Sequence, residues 1–270
     1  MNLSDPGTLR AFLQRHGLTA RKGLGQHFLC SSTAVNAIVG AASGCAGVVE
    51  IGPGPGVLTG ALSEGAEVVA LEVDDRMIEA LKESAPKARV LKQDALKAHL
   101  AVILGELPQP RAVVSNLPYY ITGPLLTSIA SARDHFAVAV LMMQKEVAVR
   151  IMAPPGDRDR GSLSVFLQAK FVISKVAGVP AGAFLPPPKV DSTVLKFVPR
   201  ADADGEDLFK FVRRGFTQPR KTLANNLSAA SSVSREEVVA KLTELGLDEK
   251  VRPQVLTIDQ WRDLHRLLNG

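Results

Sequence analysis

Short, nearly continuous apolar runs alternate with segments of helical periodicity through most of the chain. Residues 48–51, 67–72, 89–91 and 112–114 read as strands, and 57–63 and 75–84 as the helices between them. Alternation of this kind predicts a mostly parallel sheet with helices on both faces. Upstream, residues 7–16 form an amphipathic segment, and a glycine-rich basic loop spans 21–29. Ser31 and Ser32 are placed to cap a helix running to Ala42. Downstream, residues 136–143, 163–172 and 192–198 read as further strands. The last two are expected to form antiparallel edge structure around the rigid Pro186 to Pro188 loop.

After Pro199 the strand pattern stops. An acidic stretch, 202–207, leads into four helical segments near 207–216, 220–229, 235–246 and 258–268. The predicted fold class is therefore α/β with a smaller C-terminal all-α domain, divided as 1–199 and 200–270.

Composition sharpens this picture. Hydrophobic residues make up 46% of the 270, yet no run approaches the roughly 18 apolar residues that span a bilayer. The acid, proline and glycine at the amino terminus do not resemble a signal peptide, so a soluble, cytoplasmic protein is expected. Cys30 and Cys45 are too few for a disulfide framework or a four-thiolate metal site, and no metal is expected.

Charge is uneven. No acid lies between Pro6 and Val49, where Arg10, Arg15, Arg21 and Lys22 occur. None lies between Leu208 and Arg235 either, where Lys210, Arg213, Arg214, Arg220, Lys221 and Arg235 occur. These stretches carry +4 and +6, which against a total of +5 leaves the remainder at −5. Concentrated cations without interleaved acids suit a polyphosphate partner, although each stretch also reads as a solvated helix face. Arg21, Lys22, Arg213, Arg214, Arg220 and Lys221 are the candidate RNA contacts.

The candidate chemistry sits at strand ends. The EIGPGPG segment, 50–56, follows the first parallel strand and opens a helix, so Gly52, Gly54 and Gly56 let backbone approach a ligand closely. Its spacing is not the GxGxxG of dinucleotide folds, which disfavours nicotinamide cofactors. Glu72 ends the second strand and can accept both hydroxyls of a ribose. Asp94, just after the third, can accept from an adenine amino group. Together these describe an adenosine-shaped site without a phosphate-binding lysine, which fits S-adenosylmethionine better than ATP or NAD. Asn116, Leu117, Pro118 and Tyr119 follow the 112–114 strand and offer an amide, free backbone carbonyls and an aromatic face. Alone, that tetrapeptide also reads as a strand ending in an Asn-x-Pro turn.

The motifs at 21–29, 50–56, Glu72, 93–95, 116–119, 144–146, 184–192 with its PPPKVDS, and 220–222 resemble, in order, the KsgA family. These are S-adenosylmethionine-dependent dimethyltransferases of small-subunit ribosomal RNA. The resemblance implies a Rossmann-like methyltransferase sheet with a small helical domain that contacts RNA or ribosome. It implies cofactor contacts at His27, Leu29, Gly52, Glu72, Asp94 and Asn116, with His27 standing where the family commonly has asparagine. Asn116 and Leu117 would accept the two N6 hydrogens of an extruded adenine, sandwiched by Tyr119 and Phe184. Small-subunit ribosomal RNA and the small ribosomal subunit are the expected partners, and a monomer is expected. Two other readings stay open: methylation of large-subunit RNA, as in the related macrolide-resistance family, and a ribosome-assembly factor with secondary catalysis. PPPKVDS and the length of the helical domain favour the small-subunit reading.

Overall fold

The computed structural model describes residues 1–21, 25–201, 205–230 and 233–269. In chain order the elements are α1 (Pro6–Arg15), β1 (Phe28–Leu29), α2 (Ser32–Ala41), β2 (Gly47–Ile51), α3 (Val57–Leu62), β3 (Glu67–Glu72) and α4 (Asp75–Ser84). They continue with β4 (Arg89–Lys92), α5 (Leu100–Gly105), β5 (Arg111–Asn116), α6 (Thr122–Ser131), β6 (Val138–Gln144), α7 (Lys145–Met152) and α8 (Ser162–Lys170). Then come β7 (Phe171–Val179), β8 (Phe184–Leu185), β9 (Ser192–Pro199), α9 (Glu206–Gly215), α10 (Leu223–Ala229), α11 (Arg235–Glu244) and α12 (Ile258–Asn269).

The chain divides into two compact units, Met1–Ala148 with Val172–Pro199, and Val149–Phe171 with Arg200–Gly270. The expected 1–199 domain therefore loses Val149–Phe171 to the helical unit. The reason is a second difference: 163–172, expected as a strand, is helix α8 followed by the first residue of β7. Val165, Phe166, Leu167 and Ala169 of α8 are all buried, so the segment is apolar around most of its circumference and carries no readable period. Ser164 starts the helix by accepting from the Gly161 N–H. Val165 then joins the core of the second unit, with Leu208, Phe211, Leu223, Val238 and Trp261.

In the first unit the sheet runs β4-β3-β2-β5-β6-β9-β7. β2 pairs parallel with β3 and β5, β3 with β4 and β5 with β6, whereas β9 runs antiparallel to β6. β2 is buried at every position and β5 at Ala112–Ser115, as expected of parallel strands covered on both faces. Sheet order reverses between β2 and β5, which leaves a crevice outside their carboxyl ends, the place where open α/β sheets bind ligands. A second sheet, β1 antiparallel to β8, sets the amino-terminal loop beside the proline loop through Phe28↔Leu185 and Leu29↔Phe184.

Helix starts follow local chemistry. Ser31 accepts from the Ala34 N–H to cap α2, as the sequence predicts. Thr222 caps α10 by accepting from the Asn225 N–H, so Arg220 and Lys221 stand in the turn before that helix instead of within it. In the second unit Arg160 is buried and donates to the carbonyls of Gln254 and Leu256 and to the Gln168 side chain, and burial lowers its pKa to about 10.

Candidate active site

The carboxyl ends of β2, β3, β4 and β5 lie in register: Ile51 pairs with Leu71 and Ser115, and Glu72 with Lys92. The last residue of each strand, or one of the two that follow it, therefore lies at one crevice. Gly52, Glu72, Asp94 and Asn116 line it, with His27, Leu29, Leu117 and Tyr119. Ile51, Val57, Leu58 and Leu71 supply an apolar wall, and no lysine or arginine lines it among the described residues.

Behind β2 the backbone turns at Gly52 and Gly56, with φ of 69° and 91°. A Cβ on Gly56 would collide with Ser84 Oγ and Leu81 of α4, so this glycine also permits the close approach of α3 to α4. Glu72 locks the loop in place. Its Oε1 accepts from the N–H groups of Val73 and Asp74 at 2.7 and 2.9 Å, and Oε2 from Gly54 N–H at 3.2 Å. Burial pushes this carboxyl up, against those three hydrogen bonds. Asp94 Oδ1 accepts from the Leu96 N–H at 3.0 Å and so fixes the turn after β4.

Glu50 was not singled out by residue type, yet it lines the same crevice and is 1% exposed. Its Oε2 has no hydrogen-bond partner among the described residues, and burial raises its pKa to about 7. The available signal was an acid inside the otherwise apolar β2 run, a position that no strand requires to be charged.

At the end of β5, Asn116 Nδ2 donates to the His27 carbonyl at 3.1 Å. That bond fixes the amide so that Oδ1 remains the acceptor side, and no described residue donates to it. Leu117 N–H is held by the Met142 carbonyl at 3.0 Å, and Pro118 contributes no N–H. Tyr119 is half-buried; its hydroxyl hydrogen-bonds Ser192 Oγ at 2.8 Å, and burial pushes the phenol further up, so it stays protonated. The His27 ring faces Tyr119 with centroids 5.7 Å apart and planes 26° apart, and its Nδ1 hydrogen-bonds the Pro186 carbonyl at 2.8 Å.

Phe184 is not in the crevice. Within β8 its backbone pairs with Leu29, and its ring is 1% exposed in the core with Phe28 and Leu29. The two-residue strand buries this ring and leaves none of its faces for a base. Of the candidate RNA contacts, Arg21 is exposed on the first unit, while Arg213, Arg214, Arg220 and Lys221 are exposed on the second. Lys22 lies outside the described residues.

A sheet with this strand order, a glycine loop after β2, an acid ending β3 and an NLPY turn after β5 define a methyltransferase of Rossmann-like fold. Residues 17–269 match the family described as ribosomal RNA adenine dimethylase, and the chain belongs to that family. It is 38% identical to ribosomal RNA small subunit methyltransferase A of Geobacillus thermodenitrificans, over 99% of this chain and 97% of that protein. Identity is 40% to the protein of the same name in Dehalococcoides mccartyi strain 195, over 94% and 90% of the two chains. Among solved structures, a dimethyladenosine transferase from Plasmodium falciparum superimposes with a TM-score of 0.76 at 28% identity, over 88% of this chain and 96% of that one. The 23S rRNA methyltransferase ErmE gives 0.67 at 26% identity, over 90% and 100%.

Proposed function

We propose that the protein dimethylates N6 of two adjacent adenosines near the 3′ end of small-subunit ribosomal RNA, using S-adenosylmethionine. The observation that carries this reading is the orientation of Asn116, whose amide nitrogen donates to the His27 carbonyl while Oδ1 faces no described donor.

The crevice residues fit the donor. Glu72 can hold ribose hydroxyls, Asp94 an adenine amino group, and the unpartnered Glu50 Oε2 the cationic amino-acid end. Among the described residues the lining holds no lysine or arginine for a phosphate, while Glu50, Glu72 and Asp94 are acids that suit a ligand without one. Bound there, the cofactor supplies an electrophilic methyl group on a sulfonium. His27, Leu29 and Gly52 complete the wall.

The adenine exocyclic amine is a weak nucleophile because its lone pair is delocalised into the ring. Asn116 Oδ1 and the Leu117 carbonyl can accept its two hydrogens, which draws the nitrogen toward a pyramidal geometry and turns the lone pair outward. Neither acceptor takes up a proton near neutral pH, and Tyr119 is already protonated, so none of the groups assigned to the adenine acts as a general base and the proton leaves to solvent after transfer. The rate then comes chiefly from alignment. Tyr119 supplies the face on which the extruded adenine stacks. The exposed cations Arg21, Arg213, Arg214, Arg220 and Lys221, and Lys22 with them, hold RNA phosphates and set register without reading bases.

Labelled methyl donor supplied with unmethylated small subunits, and separately with large-subunit RNA, tests the reading. Label confined to two adjacent adenosines of the small subunit is expected. Label in large-subunit RNA instead would move the protein to the other family.

A further inference from the structure

The ten phenylalanines, two tyrosines and one tryptophan of the chain are all among the described residues, and of these aromatic rings only that of Tyr120 is exposed, at 57%. It stands directly after Tyr119, in the short 3-10 turn that joins NLPY to α6, and lines the same crevice. No hydrogen bond or ring contact engages its side chain among the described residues. A Cβ added at Gly25 would lie 3.6 Å from Tyr120 Cδ1, so the amino-terminal loop passes beside the ring and a side chain at position 25 would touch it. What sets Tyr120 apart from the other exposed apolar side chains is its place: an aromatic ring lining the crevice beside the residue proposed to stack on the target base.

We infer that Tyr120 is a base-stacking residue for the nucleotide adjoining the extruded adenosine. This rests on the RNA reading above. The chemistry is specific: extruding one adenine leaves its neighbour with one ring face stripped of its stacking partner. Tyr119 and Tyr120 are consecutive residues whose rings differ in role, the first tied by its hydroxyl to Ser192 inside the crevice and the second free at the rim. Consecutive aromatics at the floor and the rim match consecutive bases, one inserted and one waiting. Phe184, which would otherwise complete the aromatic clamp, is buried, so Tyr120 is the remaining open face beside the site.

The test uses the full-length protein and small subunits reconstituted with RNA carrying 2-aminopurine either at the target adenosine or at its neighbour. Wild type should quench the neighbour probe. Tyr120→Phe should keep that quenching, whereas Tyr120→Ala and Tyr120→Leu should lose it and raise KM for subunits on the order of tenfold. In these variants the cofactor Kd and the single-turnover rate at saturating RNA should stay within about twofold, because the ring is not asked to align the reacting amine. The target probe should respond to Tyr119→Ala and not to Tyr120→Ala. Equal quenching of the neighbour probe by wild type and Tyr120→Ala, with wild type methylating normally, would overturn the inference alone. Absence of adenine methylation by wild type would overturn the RNA reading, and this inference with it.

Discussion

The side-chain amide of Asn116 donates to the backbone carbonyl of His27 at 3.1 Å, across 89 positions of sequence. Because the acceptor is main chain, the identity of the side chain at 27 does not decide how Asn116 is oriented. The imidazole makes separate contacts, to the Pro186 carbonyl and the Tyr119 ring. His27→Asn, the residue that the KsgA family commonly has, should therefore keep methyl transfer within a few-fold of wild type. A hundredfold loss in steady-state assays would show that the imidazole itself takes part.

Tyr119 separates stacking from hydrogen bonding. Tyr119→Phe removes only the bond to Ser192 Oγ, worth about 1 kcal/mol. Tyr119→Ala also removes the face for the adenine, worth roughly 1 to 3 kcal/mol, or about 5- to 150-fold in kcat/KM. Comparable losses in the two variants would place the function of this residue in its hydroxyl.

Phe184 should behave as a core residue. Its ring is buried against Phe28 and Leu29, so Phe184→Ala should cost about 3 to 5 kcal/mol of unfolding free energy. The milder Phe184→Leu should keep KM for RNA near wild type while lowering the denaturant midpoint. An intact midpoint with a sharply raised KM would mean that the ring reaches substrate.

Glu50 makes stability depend on pH in a defined direction. Its carboxyl has a folded-state pKa of about 7 against an ordinary 4.5, so the folded protein holds a proton that the unfolded chain has released across that window. The folded state thus loses stability as pH rises from about 4.5 to about 7, by roughly 3 kcal/mol at about 1.4 kcal/mol per unit. Glu50→Gln should flatten this slope in urea unfolding series at about pH 5 and about pH 8. Parallel curves for wild type and variant would show that the carboxyl is not titrating as its burial requires.

The phosphate contacts are read by salt. If Arg220 and Lys221 each hold a phosphate, neutralising both should reduce the slope of log K against log salt by about 1.4 to 1.8. An unchanged slope would put the contacts on other cations.

Much of the site was legible because its chemistry is local. Gly52, Glu72, Asp94 and Asn116 each follow or end a short apolar run, and the parallel register alone brings such ends to one crevice. What depended on long-range packing was not. The apolar run of α8 has no period because it is buried almost all round, so it reads equally as strand and helix. The direction of the Phe184 ring is set by a two-residue strand, too short to show alternation. Glu50 shows in the sequence only as an acid within an apolar strand, and burial without a partner for Oε2 is what marks it as a site group.

The most direct measurement pairs cofactor binding with single-turnover methyl transfer in Asn116→Ala. If Oδ1 acts as the acceptor that shapes the adenine amine, cofactor Kd should change by no more than a few-fold while transfer falls by about a hundredfold or more. Transfer at the wild-type rate, with cofactor bound, would contradict the account.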